Sequence, residues 1–288
     1  MTVRLCDNRY GKAETRLLRV TRDGDRHEVR ELEVTVALTG EYERAYLEGD
    51  NSAVLPTDSQ KNAVHAFAGA GPIAEIEDLG LRLARHFVAG SRAVRRAHVR
   101  IDEHAWERIY GHPHAFARTG GERRQAMLVA DASGAAWAAA GLTDLLVLKS
   151  AGSEFRGFER DRYTTLEDAG ERILATSVTA RWRYSGLDVD WAAGFAEARR
   201  ILLQTFAGRH SHSLQQTLYD MGRAVLEARP EIAEIRLRLP NRHHFAVDLQ
   251  PFGLAGDDRI FHVADRPYGL IEGTLCREGA PEGPALDW

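Results

Sequence analysis

Val178, Ala180, Trp182 and Tyr184 take every second position of a seven-residue run, with Thr179, Arg181 and Arg183 between them. Such period-two alternation marks a strand with one covered and one open face. Val34–Leu38 and the shorter Val99-Arg100-Ile101 carry the same pattern in the first half. Ile235–Leu239 repeats it in the second half and is expected to stop at Pro240, where a ladder donor is lost. Alternating, half-covered strands suit antiparallel sheets with one face buried.

Between the strands the apolar spacing changes to three and four. Ile73, Ile76, Leu79, Leu83 and Phe87 predict a helix opened by Pro72. Phe195, Ala198, Ile201, Leu202 and Phe206 predict a second helix, with Asp190 or a neighbour as its cap. Leu214, Leu218, Met221, Val225 and Leu226 predict a third, capped by Ser211 or Ser213 and ended by Pro230. Strand pair, helices, strand pair, and then the same again after about residue 140, is the order of an α+β chain. It implies two similar units in tandem, residues 1–140 and 141–288, each with a sheet and helices on one face. No strong residue-level repeat accompanies this order. No linker rich in Pro, Gly or Ser separates the halves, so they are expected to pack as one body.

The chain has 288 residues, 28% of them charged, and a net charge of −4. That balance argues against disorder and against a general nucleic-acid binder. The basic segment Ser91–Arg100 reads as a solvated or internally paired face. The longest stretch free of charge, Ala132–Thr143, is too short and alanine-rich to cross a membrane. Arg4 and Asp7 stand where a secretory signal would be apolar, and Cys6 and Cys276 form no C-x-x-C unit. Reduced thiols in a cytoplasmic protein are expected. One bias changes the picture: 35 arginines stand beside only three lysines, Lys12, Lys61 and Lys149. Arginine stays protonated, whereas a desolvated lysine can release its proton, so the lysines are candidates for chemistry.

Standard motif classes fail. Gly69-Ala70-Gly71 precedes a predicted helix, but Pro72 would sit inside the phosphate loop and no parallel sheet is indicated. His112-x-His114 and His210-x-His212 have spacing that zinc sites use on a strand, while His243 and His244 would point to opposite faces. No Cys or Glu pattern completes a ligand set, and no metal is expected at a catalytic site. Polar density instead gathers in Tyr10–Lys12, Pro56–Asn62, Lys149–Phe158 with Tyr163–Leu166 and Arg172, and Leu239–Phe245. In the second of these, Thr57, Asp58 or Ser59 could cap a helix.

Taken together and in order, these segments closely resemble the urate oxidase (uricase) family. The resemblance rests on Y-G-K at Tyr10–Lys12, T-D-S-x-K-N at Thr57–Asn62 and L-K-S-x-x-S-x-F-x-G-F at Leu148–Phe158. It continues through Y-T-T-L, R-I-L at Arg172–Leu174, S-L-Q-Q-T-L-Y at Ser213–Tyr219, L-P-N-x-H-x-F at Leu239–Phe245 and D-R-P-Y-G at Asp265–Gly269. It implies the tunnelling fold, with four chains enclosing a tunnel in a homotetramer and active sites shared between subunits. The implied reaction is urate + O2 + H2O giving 5-hydroxyisourate and H2O2, with no metal or organic cofactor.

By motif position, Phe155 would stack on the purine, Arg172 would fork to one edge, and Gln215 would grip another beside the backbone N–H of Leu214. Thr57 and Asp58 of a neighbouring subunit would bind the five-membered ring. Lys12, Thr57 and His243 would relay protons, and Asn241 with Thr57 would hold O2 and then water. The sequence departs from the family pattern at Ala63, Ala151 and Leu214, and none of these removes a catalytic group. The end, Pro284–Trp288, lacks a peroxisomal Ser-Lys-Leu address, which fits a cytoplasmic setting.

Overall fold

The computed structural model describes residues 3–255, 259–264 and 266–284; Asp265 and residues 285–288, part of two segments read above, lie outside them. The first unit runs β1 (Tyr10–Asp23), β2 (Arg26–Gly40), a short helix α1 (Glu43–Leu47), α2 (Thr57–Gly69), α3 (Ile76–Gly90), β3 (Val94–Arg108) and β4 (Phe116–Asp131). The second runs β5 (Ala136–Lys149), β6 (Leu174–Tyr184), α4 (Trp191–Gly208), α5 (Leu214–Ala228), β7 (Ile232–Ala246), β8 (Phe261–Ala264) and β9 (Leu270–Cys276). The architecture is α+β, as expected. β5 runs through residue 140, so we place the seam between the units in the turn of residues 132–135. There Asp131 Oδ1 accepts from the backbone N–H of Ser133 at 2.9 Å and of Ala135 at 3.2 Å.

The named strands all pair antiparallel and form one sheet in the order β1-β2-β3-β4-β5-β6-β7, with β8 and β9 both on β7. The β4–β5 ladder fuses the two units. Helices α2 to α5 cover one face. Val34, Val36 and Leu38, then Val99 and Ile101, then Val178, Ala180, Trp182 and Tyr184, all point into this core. Trp182 and Tyr184 bury their polar ends by pairing them, the indole Nε1 donating to the phenol oxygen at 3.0 Å. That removes the penalty of an unmet buried donor.

Helix ends follow the expected local chemistry in two cases and depart from it in two others. Asp190 caps α4 by accepting from Ala193 N, and Ser213 rather than Ser211 caps α5 by accepting from Gln216 N. By contrast, α3 does not open at Pro72. It begins at Ile76, because the Arg30 guanidinium takes the carbonyls of Ile73 and Ala74; Ile73 is still buried, in the segment before the helix. α2 begins at Thr57 behind Pro56, and no side chain caps it, contrary to the expectation for Thr57, Asp58 or Ser59. β7 also runs past Pro240. The β6–β7 register is the same at Thr179↔Arg238 and at Thr176↔Asn241, with the missing donor falling between. The Gly69–Gly71 segment ends α2 instead of opening a helix. Within the basic segment, Arg95 pairs with Glu41 and Arg100 with Asp102.

Each unit has a β-bulge in its first strand. The β1–β2 register shifts between Lys12 and Thr15, with Glu14 at φ 55°. The β5–β6 register shifts between Leu142 and Leu145, with Asp144 at φ 61°.

Candidate active site

Two groups of the sequence-selected residues form, at opposite ends of the sheet. The first lies on β1 and α2. Lys12 pairs in register with Val36, so its side chain points to the helix-covered face, just ahead of the bulge. Tyr10 holds the approach to α2 in place: its hydroxyl accepts from Leu55 N at 3.0 Å. Thr57 and Asp58 therefore open α2 close to Lys12. The Asp58 carboxyl is held below its usual range, first by hydrogen bonding to Lys61 and, more weakly, by the positive charge of Lys12. Asn62 also donates to Asp58 at 3.0 Å. Because no side chain caps α2, its first-turn N–H groups are left to donate to an anion or polar ligand.

The second group is built around the segment of residues 152–172. Phe155 and Ala169 exchange backbone hydrogen bonds at 2.8 and 2.9 Å, and Arg172 N donates to Ser153 O at 2.8 Å. These bonds fold the segment back on itself and set the Arg172 guanidinium over the Phe155 ring, 5.2 Å from its centroid. Phe158 stacks against Phe155, with ring centroids 5.0 Å apart and the two planes nearly parallel. Arg172 is half-buried, no carboxylate among the described residues pairs with it, and its Nε has no hydrogen-bond partner. Burial alone lowers its pKa, a pull on a cation that no nearby charge offsets.

A parallel bridge between Ser153 and Ser211 docks this segment against the entry to α5. Glu154 N donates to Ser211 O at 2.8 Å and Ser211 N to Gly152 O at 2.9 Å. Ser211 is fully buried, and its hydroxyl pairs with Thr217 at 2.7 Å. Leu214, buried, and Gln215, exposed, are the first two residues of α5. Asn241 sits opposite Thr176 on β6, four residues along from Arg172, and donates its N–H to Gly269 O at 2.7 Å. His243 follows where the β6 ladder ends, paired with Ala264 of β8. Its ring stacks on Phe245 at 5.7 Å. Phe155, Arg172, Leu214, Gln215, Asn241 and His243 thus belong to one end of the second unit. Lys12, Thr57 and Asp58 belong to the first unit and are not brought to them within the chain.

The other two lysines serve the scaffold. Lys61 pairs with Asp58, and Lys149 donates to Arg209 O at 2.7 Å at the end of α4. Three things escaped the sequence reading. Tyr10 acts as the fastener of residue 55. Ser153 and Ser211 form the buried weld between two site segments. Glu154 completes a three-residue group with His210 and His212, correcting the expectation that no carboxylate joins that pair. His112 and His114, as expected, occupy a turn, with ring centroids 4.6 Å apart.

The family profile described as Uricase matches residues 8–129 and 138–272. The uricase of Arthrobacter globiformis is 52% identical over 277 residues, spanning 96% of this chain and 91% of that protein. The uricase of Danio rerio is 39% identical over 278 residues, with 93% of each chain covered. The crystal structure of the Arthrobacter globiformis uricase superposes with a TM-score of 0.94 over 99% of this chain and 98% of that one. A urate oxidase mutant from Bacillus sp. TB-90, only 21% identical, shares the fold at a TM-score of 0.82 over 94% of this chain and 99% of that one.

Proposed function

The chain belongs to the uricase family, and we propose that it oxidises urate with O2 and water to 5-hydroxyisourate and H2O2. The observation that carries this reading is Arg172: a half-buried guanidinium with an idle Nε, lying over an aromatic ring. A flat purine anion answers both features. Its edge can accept two parallel N–H bonds from the guanidinium fork, and its face can stack on Phe155. Gln215 can donate and accept along a second edge, beside the N–H of Leu214 at the open start of α5. Thr57 and Asp58 would supply backbone N–H groups to the five-membered ring.

In the chemical step urate gives up two electrons and O2 becomes H2O2, while water adds to the oxidised ring. Urate must lose a further proton to become electron-rich enough. Lys12 would take that proton through the Thr57 hydroxyl, and His243 would orient the relay and pass the proton on. Asn241 and Thr57 would hold O2, and then water, over the purine plane.

This scheme needs residues from both ends of the sheet. β1 and β7 are separated by six inter-strand steps of about 4.8 Å, roughly 29 Å along the sheet. Lys12 and His243 would therefore meet only where the β1 end of one chain abuts the β7 end of another. A homotetramer of chains around a common tunnel satisfies that requirement at every site. Both cysteines are free and exposed, in keeping with the cytoplasm as the setting we propose.

The deciding experiment mixes the purified protein with urate in air. Loss of urate absorbance with equal O2 uptake and H2O2 release is expected. An assembled protein that leaves urate intact would overturn the assignment.

A further inference from the structure

Glu154, His210 and His212 each place a ligand-type atom within 4.8 Å of the others. None of the three has a part in the proposed urate chemistry. His212 Nδ1 is hydrogen-bonded to Glu154 Oε1, and His210 Nε2 lies 3.9 Å from Glu154 Oε2. The two imidazole centroids are 5.0 Å apart. The frame beneath them is rigid and buried. Ser211, between the histidines, is fully buried and bridged to Ser153, the residue before Glu154. The parallel bridge fixes the carboxylate beside the imidazoles. Ser211 is also bonded to Thr217, and Gln216 Oε1 accepts from His212 N at 3.0 Å. The Glu154 side chain is largely covered, 12% exposed, while His210 and His212 are 47% and 64% exposed.

We propose that Glu154, His210 and His212 bind one divalent transition-metal ion per chain, of the Zn2+ class, with water completing the coordination. Two imidazoles and a carboxylate are a ligand set that zinc favours. With ligands about 2.1 Å from the metal in a tetrahedron, the donor atoms stand about 3.4 Å apart. The group therefore closes by small rotations of two exposed rings around a carboxylate already in place. Arg156, which pairs with Glu154 Oε2 from the solvent side, opposes a cation and sets the affinity. The bound ion clamps the segment carrying Phe155 to the entry of α5, which carries Gln215. Its role is to brace the site, and the oxidation does not pass through it.

The test is equilibrium dialysis of the chelator-treated, assembled protein against ZnCl2, paired with thermal unfolding. One zinc per chain and a raised unfolding midpoint are expected. His212→Ala, His210→Ala and Glu154→Gln should each weaken binding by at least about tenfold, since even outer partners of a metal site contribute that much. These variants should also abolish the thermal shift. Arg156→Ala should tighten binding, and His112→Ala should leave it unchanged. Absence of saturable zinc uptake would overturn the proposal. So would uptake that survives all three ligand substitutions, or that disappears with His112→Ala and so belongs to the turn holding His112 and His114.

Discussion

The two bulges set one local device in two chemical contexts. In the first unit it is Gly11-Lys12-Ala13-Glu14, and in the second Gly141-Leu142-Thr143-Asp144. A Cβ on Gly11 would stand 1.9 Å from Val36 O, and one on Gly141 would stand 2.5 Å from Ala180 O, so neither position accepts a side chain without movement. In both, the acidic residue three places on takes a positive φ. A threonine of the partner strand attends each bulge: Thr35 Oγ1 accepts from Glu14 N, and Thr179 Oγ1 pairs with Thr143 Oγ1, both at 3.0 Å. The residue after the glycine faces the helices in each unit. In the second unit it is Leu142, fully buried in the core. In the first it is Lys12, held near the uncapped start of α2. One exchange of side chain on a repeated frame separates a packing position from the one proposed for chemistry.

Substitution at the two equivalent positions tests this most strongly. Lys12→Met should lower urate turnover by about 10^2- to 10^4-fold, the usual span for a lost proton-transfer group. Binding of an unreactive purine analogue should hardly change, and equal small losses in both would remove Lys12 from the relay. Leu142→Ala should do the reverse, lowering stability by about 2–5 kcal/mol in denaturant unfolding while turnover per folded protein persists.

The glycines come next. Gly11→Ala and Gly141→Ala should each destabilise by about 1–3 kcal/mol through overpacking, with the larger effect at Gly11. Only Gly11→Ala should also impair turnover, because it displaces Lys12. Equal kinetic loss from both would mean the bulges share a purely structural role.

A smaller contrast lies one strand further in. His98 pairs with Ala37, and its counterpart Arg236 pairs with Arg181. Burial, with help from Arg96 and Arg9, pushes the His98 pKa down to about 4. Between pH 6.5 and about 4 the unfolded chain then binds a proton there that the folded chain does not. Stability is therefore present above this window and lost as the pH falls through it. The loss should be on the order of 1 kcal/mol, given partial exposure of the ring to solvent. His98→Asn should flatten that part of the curve of unfolding midpoint against pH, and an unchanged slope would assign the acid sensitivity elsewhere.

What could be read from the sequence was mostly local. The β6 alternation and the caps at Asp190 and Ser213 depend on near neighbours, and the structure reproduces them. The start of α3 was misplaced because Arg30, more than 40 residues away, claims two carbonyls that a helix would otherwise use. Pro240 misled for a related reason: a strand with partners on both sides tolerates one missing donor when the register holds across it. The repeated bulge escaped notice because its glycine and acid are ordinary residues until a register shift joins them. The ordered motifs select residues that the fold gathers into two groups. Their division between the two ends of a sheet depends on strand order, which no motif encodes. Glu154 stayed hidden for the same reason, since its partners lie more than 50 residues downstream and meet it only through the Ser153–Ser211 bridge.

Lys12 and His243 stand at opposite ends of one fused sheet, so on the proposed relay a single chain would carry two half-sites and no complete one. Activity should then obey a law of mass action as well as a rate law: dilution that separates chains should silence them before any helix or strand is lost. The same separation allows complementation. Chains disabled at Lys12 and chains disabled at Arg172, each expected to be inert alone, should regenerate activity when mixed, wherever the sound half of one meets the sound half of the other.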